Sequence, residues 1–165
     1  MPKIRHQPRY HFYRSAVLPA PLNDVWREMR SFARTLKIAF REQVEAINWC
    51  DGGSTDKIPS LIQFTVQPGG QKIIEEVIGR DEMEHSLTYR TVEQALNIVD
   101  YVASYTLKPI TDEPDQTFLE WTRDFSLTED TEPQAFLSFY SASSEQQLAN
   151  VKAHFKRINF PPPPR

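Results

Sequence analysis

The feature that most constrains the fold is an alternation of apolar and polar residues that recurs in six segments between residues 44 and 127. A period of two residues predicts strands with one buried face. Short runs rich in Gly, Pro and Asp separate the segments, so consecutive strands form hairpins in an antiparallel sheet. The predicted strands are 44–49, 60–67, 72–79, 84–92, 99–108 and 116–127. Connections this short leave no room for repeated helical crossovers, which excludes a doubly wound nucleotide-binding fold.

A further strand and several helices flank this meander. Residues 10–18 are rich in aromatic and β-branched types and stop at Pro19, which predicts a first strand. Pro21 suits the first position of a short helix with one apolar stripe, and residues 34–43 could hold a second short helix. The chain ends with a helical pattern from about residue 133 to residue 158. The predicted order is strand, one or two short helices, six strands and a long helix.

The middle of the long helix is unusually small and polar, with the sequence Ser141-Ala142-Ser143-Ser144. Such residues fill a core poorly. Two interpretations stay open: the helix breaks at this point, or its inner face borders a space that something else fills.

Composition and charge narrow the class of protein. The net charge of −3 argues against a general nucleic-acid binder, which would carry a basic face. Cys50 is the only cysteine, so no intramolecular disulfide is possible and a reducing compartment fits. No apolar run is long enough to span a membrane, and the first residues lack the apolar stretch of a secretory signal, so we expect a cytoplasmic protein. We expect one domain at 10–158, with an N-terminal extension at 1–9 and a proline tail at 159–165.

Several local patterns follow one another in a familiar order. They are Pro19-Ala20-Pro21 before Val25-Trp26, a Pro68-Gly69-Gly70 hairpin before Ile74-Glu75-Glu76-Val77, Asp100-Tyr101 before Pro109, and Thr117-Phe118-Leu119-Glu120-Trp121 before Phe125. Together they resemble the helix-grip fold of the START and birch-pollen-allergen superfamily, and most of all its polyketide cyclase/dehydrase branch. The resemblance implies an α+β fold in which a curved, seven-stranded antiparallel sheet surrounds the C-terminal helix. It also implies an internal pocket for an apolar or amphipathic small molecule.

The family-like register places Tyr101 and Trp121 inward, and alternation along each strand then fixes the other inward residues. This inward set is largely apolar and aromatic, with Glu75 and Arg123 as exceptions. A buried unpaired charge is strongly unfavourable, so each of these two side chains needs a partner, water or a ligand. They could form an internal ion pair, Arg123 could reach the cavity mouth, or both could contact a ligand. The predicted ligand-binding residues are Phe64, Glu75, Tyr89, Tyr101, Tyr105, Trp121, Arg123, Phe136 and Tyr140.

Three functions are compatible with these residues. The favoured hypothesis is binding or transport of a hydrophobic or amphipathic ligand, which is lipid-, polyketide- or aromatic-like. The first alternative is a cyclase, dehydratase or isomerase with Glu75 as acid/base. Enclosure by apolar walls would raise the pKa of Glu75, whereas a nearby Arg123 is expected to act oppositely and keep Glu75 charged. The second alternative is a module that binds a protein partner and has a solid interior. The sequence indicates no oligomeric state.

Motifs for other chemistry are missing from the sequence. It has no Gly-rich phosphate loop, no Gly-x-Ser-x-Gly elbow and no pair of histidines at metal spacing, so we predict no cofactor and no metal. Glu75 and Glu76 are neighbours in a strand and face opposite sides, so they cannot form a glycosidase pair. Cys50 is better explained as a small apolar residue than as a nucleophile.

Overall fold

The computed structural model describes residues 8–159 and residue 164 of the chain. The described elements are β1 Tyr10–Leu18, α1 Leu22–Met29, α2 Phe32–Phe40, β2 Val44–Trp49, β3 Ser60–Val66, β4 Gln71–Asp81, β5 Ser86–Thr91, β6 Ile98–Pro109, β7 Thr117–Leu127 and α3 Pro133–Asn159. A single 3-10 turn joins α2 to β2. The predicted α+β order is confirmed, and the strand bounds differ from the expected ones by at most two residues.

The seven strands form one antiparallel sheet in the order β1-β7-β6-β5-β4-β3-β2. Strands β2 to β7 follow one another as a meander, in which each strand pairs with the next one in sequence. The first strand instead pairs with the last, with Arg14 opposite Trp121. This pairing between the first and the last strand brings the N-terminal segment next to α3.

The expected inward faces of the strands are the buried ones. Ile62, Val77, Leu87, Leu107 and Leu119 are almost completely inaccessible to solvent. Their neighbours in sequence are more exposed, so the burial pattern alternates along β3, β4, β5, β6 and β7. A slip of one residue in any strand would reverse this pattern and expose the core.

The helices cover the concave side of the sheet. The hydroxyl of Tyr105 on β6 donates to the Met29 carbonyl at the end of α1, which holds that helix over the sheet. The Asn150 amide of α3 donates to the Ala39 carbonyl, which links α3 to α2. Pro21 was expected at the first helical position, but it precedes α1 as its N-cap. Phe32 begins the second helix, α2.

Helix α3 is continuous from Pro133 to Asn159, so the interpretation that it breaks at its small polar segment is wrong. The predicted N-terminal extension and proline tail fall mostly on residues outside the described ranges, and the division into 1–9, 10–158 and 159–165 stays a prediction. Among the described residues, no helix combines the length and apolar character needed to cross a membrane.

Candidate functional site

Most of the predicted ligand-binding residues meet between the sheet and α3. Tyr89, Trp121 and Arg123 are buried, and Tyr101 and Tyr140 are partly buried. The sheet register explains how they come together, because Arg123 lies opposite Ala103 of β6, and Ala103 lies opposite Tyr89 of β5. The small Ala103 side chain leaves room above the sheet for the long side chains on either side of it. Phe64 is buried on β3, but no ring contact among the described residues joins it to the other aromatic side chains.

The Arg123 guanidinium fills the space beside the small polar segment of α3. Its Nη1 donates to the Ser144 hydroxyl at 2.8 Å, and its Nη2 donates to Gln147 Oε1 at 2.5 Å. The guanidinium carbon also lies 4.6 Å from the centre of the Trp121 ring and 5.7 Å from that of Tyr140, within the range of cation–π contacts. The small residues of α3 therefore border a space that Arg123 occupies. Sequence reasoning missed Gln147, which lies on the same helical face as Ser144 three residues later.

Glu75 is the second charged residue of the interior, and its surroundings differ from those of Arg123. It lies on β4 between Ile62 of β3 and Thr91 of β5, and only 8% of the residue is exposed. Its Oε2 atom is buried and accepts no hydrogen bond from any described residue. No ion pair joins it to Arg123 within the part of the chain that the structure describes. The sequence-based alternative of a direct internal ion pair is therefore not what the structure shows.

Burial raises the pKa of the Glu75 carboxyl from 4.5 to about 8, although the positive charge of Arg123 acts in the opposite direction. The expectation that Arg123 keeps Glu75 charged is wrong, because the loss of hydration outweighs the attraction of a cation that is not in contact. At pH 7 the carboxyl is mostly protonated and can donate a hydrogen bond. Glu76 faces the other side of the sheet, as expected, and its Oε1 lies 2.7 Å from Arg90 Nη2.

Aromatic rings form most of the remaining contacts in this region. The ring of Phe125 lies 4.9 Å from that of Tyr140, 6.2 Å from Tyr101 and 6.4 Å from Phe136, measured between ring centres. The ring of Tyr89 lies 4.3 Å from that of Phe32 of α2, and the two ring planes are tilted by 35°. Phe32 and Phe125 were absent from the predicted ligand contacts, although the inward register already included Phe125.

Hydroxyl groups of the tyrosines have different roles. Burial raises the pKa of both Tyr89 and Tyr101 well above the ordinary value, so both phenols keep their protons. The Tyr89 hydroxyl accepts from the Trp121 indole at 3.1 Å, and the Tyr140 hydroxyl donates to that of Tyr101 at 3.4 Å. The Tyr105 hydroxyl instead bonds to Met29 and Thr35, which gives it a role in holding α1 and α2.

The first half of α3 covers this region only loosely. None of its residues between 133 and 143 is buried, and the Phe139 side chain is 69% exposed. From Ser144 onward the helix carries buried residues on each turn, including Leu148, Val151 and Phe155. The second half of α3 is therefore anchored to the core, and the first half rests on a few ring contacts.

Two clefts among the described residues are not lined by any of the predicted ligand-binding side chains. One has a volume of about 250 Å³ and lies between α2 and the end of α3. The other, of about 210 Å³, lies beside Cys50 and Ser60, and no histidine lines it. Neither Glu75 nor Arg123 lines either of these clefts.

Comparison with known proteins places the chain in a family. Residues 9–156 match a family described as polyketide cyclase / dehydrase and lipid transport. The chain belongs to this family. The match agrees with the resemblance found in the sequence, and it covers the sheet and nearly all of α3. None of the curated proteins compared with the chain matches it.

Solved structures show the same fold over most of their length. An aromatase/cyclase from Streptomyces sp. R1128 superposes with a TM-score of 0.75 at 16% identity, covering 93% of this chain and 98% of that one. The protein XoxI from Bacillus cereus gives 0.74 at 17% identity, covering 90% and 97%. A protein from Nitrosospira multiformis gives 0.70 at 22% identity, covering 91% and 99%. At these identities the likeness establishes that this member of the polyketide cyclase/dehydrase family has the helix-grip fold.

Proposed function

We propose that this protein binds or carries a hydrophobic or amphipathic small molecule between the sheet and the first half of α3. The observation that supports this proposal most is the buried Glu75 carboxyl, whose Oε2 atom has no hydrogen-bond partner among the described residues. A buried polar group without a partner costs free energy, so it is rare in a region that serves only as core. A ligand hydroxyl, carbonyl or amine would satisfy it.

Arg123 supplies a second polar contact for the same ligand. Its guanidinium is always charged and has five N–H donors, of which the structure assigns two to Ser144 and Gln147. No carboxylate of a described residue forms an ion pair with it. A ligand carboxylate or carbonyl oxygen could therefore accept a hydrogen bond from Arg123 while the apolar part contacts Trp121, Phe125 and Tyr140. Apolar area buried in this way contributes about 25 cal/mol per Å², and the combination favours an amphipathic ligand.

Access to these residues depends on the first half of α3. Among the described residues, this half-helix is held against the sheet by ring contacts and by the Arg123 guanidinium over the Tyr140 ring. Two hydrogen bonds add to them, one between Tyr101 and Tyr140 and one from Arg14 Nη2 to the Ser141 hydroxyl at 2.7 Å. Segments with few buried contacts open at low free-energy cost, and ligand-binding lids are drawn from such segments. We infer that the ligand enters when residues 133–143 move away from the sheet while the anchored second half stays in place.

We expect the neutral fluorescent probe N-phenyl-1-naphthylamine to bind the purified protein and palmitate to displace it. In Arg123→Met, palmitate should compete at least about tenfold more weakly, because a charged hydrogen bond to its carboxylate is lost. The affinity of the neutral probe should change by less than about twofold, since its binding depends on the apolar surface. Fluorescence titration measures both quantities, and the thermal unfolding midpoint confirms that the variant is folded.

Arg90→Met is the matched control, because Arg90 carries the same charge on the outer face of the sheet. This control should leave both affinities unchanged. Absence of probe binding in the wild-type protein, or an equal weakening in the two variants, would contradict the proposal.

The enzyme alternative is favoured by the burial of the Glu75 carboxyl, which raises its pKa to about 8. A carboxyl that is protonated at neutral pH can donate a proton to a hydroxyl that leaves as water, as a dehydratase requires, or to a carbonyl oxygen, as an enolising cyclase or isomerase requires. Activity of this kind should fall as the pH rises above about 8. Elimination of water from a hydroxyl-bearing ligand that is lost in Glu75→Gln and kept in Arg123→Ala would favour this function over simple carriage.

The partner-module alternative is favoured by the close ring packing around Phe125 and by the Arg123 guanidinium, which fills the space beside Ser144. It requires that the interior stay closed. A chain that binds neither the probe nor any amphipathic competitor would support it.

A further inference from the structure

The cleft between α2 and the end of α3 is lined almost entirely by basic side chains. It has a volume of about 250 Å³ and contains no residue that was predicted to contact the apolar ligand. Its lining residues are Arg34, Lys37, Ile38, Arg41, His154 and Arg157. No acidic residue lines it, although acidic residues outnumber basic ones in the whole chain and the net charge is −3. The cleft therefore concentrates positive charge on a protein that is otherwise acidic.

Most of this charge is not neutralised by a neighbouring carboxylate. Arg34 pairs with Glu28, and His154 Nε2 lies 3.5 Å from Glu28 Oε2. Within the part of the chain that the structure describes, Lys37, Arg41 and Arg157 form no ion pair. Burial lowers the pKa of His154, so we count its ring as neutral near pH 7.

Helix dipoles do not account for the excess charge. Lys37 and Arg41 lie at the end of α2 and Arg157 at the end of α3, where cations are favoured. Each helix end is equivalent to about half a negative charge, so the two ends offset about one of the three unpaired cations. About two positive charges remain in the cleft.

Arg41 is also held in a costly backbone conformation. It ends α2 with φ of 50° and ψ of −125°, a region that favours glycine. The chain nevertheless places a long cationic side chain at this point. Arg41 lines the cleft together with cations of α2 and α3.

We propose that this cleft binds the phosphate group of a phosphate monoester. A monoester carries a charge of about −1.5 to −2 near pH 7, which matches the excess charge of the cleft. Arginine recognises phosphate through two parallel N–H donors, and the arginines of this cleft come from both of its walls. The same chemistry is offered by a small soluble phosphate ester and by the headgroup of phosphatidic acid in a membrane. The site is separate from Glu75 and Arg123, so this proposal does not rest on the proposed function.

Two experiments at the same ionic strength test the proposal. Isothermal titration calorimetry with glycerol 3-phosphate measures binding of a soluble phosphate ester. Sedimentation with phosphatidylcholine vesicles that contain or lack phosphatidic acid measures binding of a phosphate headgroup in a membrane. We expect a dissociation constant below about 1 mM in at least one of the two arms. Arg41→Ala and Arg157→Ala should each weaken that binding at least about tenfold.

Lys156→Ala is the matched control, because Lys156 is an exposed cation of the same last turn of α3 and does not line the cleft. It should change the affinity by less than about twofold. Binding to glycerol 3-phosphate would identify a soluble ligand, and binding to vesicles alone would identify a lipid headgroup; both support the proposal. Absence of binding in both arms, or an equal loss in Lys156→Ala and Arg157→Ala, would overturn it.

Discussion

Replacing Glu75 with glutamine is expected to make the free protein more stable relative to the wild type as the pH rises. The folded-state pKa of Glu75 is about 8 and its ordinary value is 4.5, so the folded chain holds this proton more tightly than the unfolded chain. The wild-type protein has its full stability from this group below pH 4.5 and loses it as the pH rises to about 8. Glutamine does not titrate, so the variant avoids the loss. The variant's advantage should grow by about 3 kcal/mol between pH 4 and pH 7, and by about 5 kcal/mol by pH 9.

Urea unfolding of both proteins at pH 4, 7 and 9 measures this difference, and other titrating groups largely cancel because both proteins contain them. Glu76→Gln is the matched control, because Glu76 is the next residue and faces the outer side of the sheet beside Arg90. Its effect should stay within about 1 kcal/mol over the same range. A Glu75→Gln advantage that is constant from pH 4 to pH 9 would show that the carboxyl is not desolvated. An advantage that grows with pH indicates that the wild-type chain tolerates a destabilising carboxyl, which is expected of a functional group.

Replacing Trp121 with alanine is expected to reduce the free energy of unfolding by about 3–5 kcal/mol, the usual cost of removing a buried aromatic side chain. Trp121 is 2% exposed, and its ring lies 5.2 Å from that of Tyr105. Its indole N–H donates to Tyr89, and its face carries the Arg123 guanidinium. The substitution removes all three contacts and leaves a cavity at the centre of the sheet. Denaturant unfolding at pH 7 gives the value.

Phe139→Ala provides the comparison for Trp121, because Phe139 is a large aromatic residue on the exposed side of α3. It should cost no more than about 0.5 kcal/mol. Similar losses in the two variants would mean that Trp121 does not occupy the centre of the core.

The sheet could be predicted from the sequence because its determinants are local. Alternation along each strand separates its two faces, and the family resemblance, which placed Tyr101 and Trp121 inward, identified the face that contains Glu75 and Arg123. The surroundings of these two residues could not be predicted in the same way. Ser144 and Gln147 reach Arg123 only because α3 crosses the sheet at this point, which no local pattern specifies. The direction of the pKa shift of Glu75 depends on whether the effect of burial is larger than the effect of the Arg123 charge. The sequence does not specify the distance between these two side chains, so it could not decide between the two effects.

The basic cleft was missed for a similar reason. Arg34, Lys37 and Arg41 lie at positions i, i+3 and i+7, a spacing that places them on one face of a helix. This spacing lies within residues 34–43, where the sequence indicated a second short helix only as one possibility. Arg157 joins them from the other end of the chain, and only the packing of α2 against α3 brings it there.

Three tryptophans make a direct test of ligand binding in the interior possible. In a two-dimensional 1H–15N spectrum each indole N–H gives one signal, and only that of Trp121 reports on the region beside Tyr89 and Arg123. During titration with palmitate we predict a large saturable shift of the Trp121 signal, with little change at Trp26, whose indole N–H is bonded to Glu82. If palmitate binds to saturation and the Trp121 signal stays in place, the ligand lies elsewhere and the interior between the sheet and α3 is not its site.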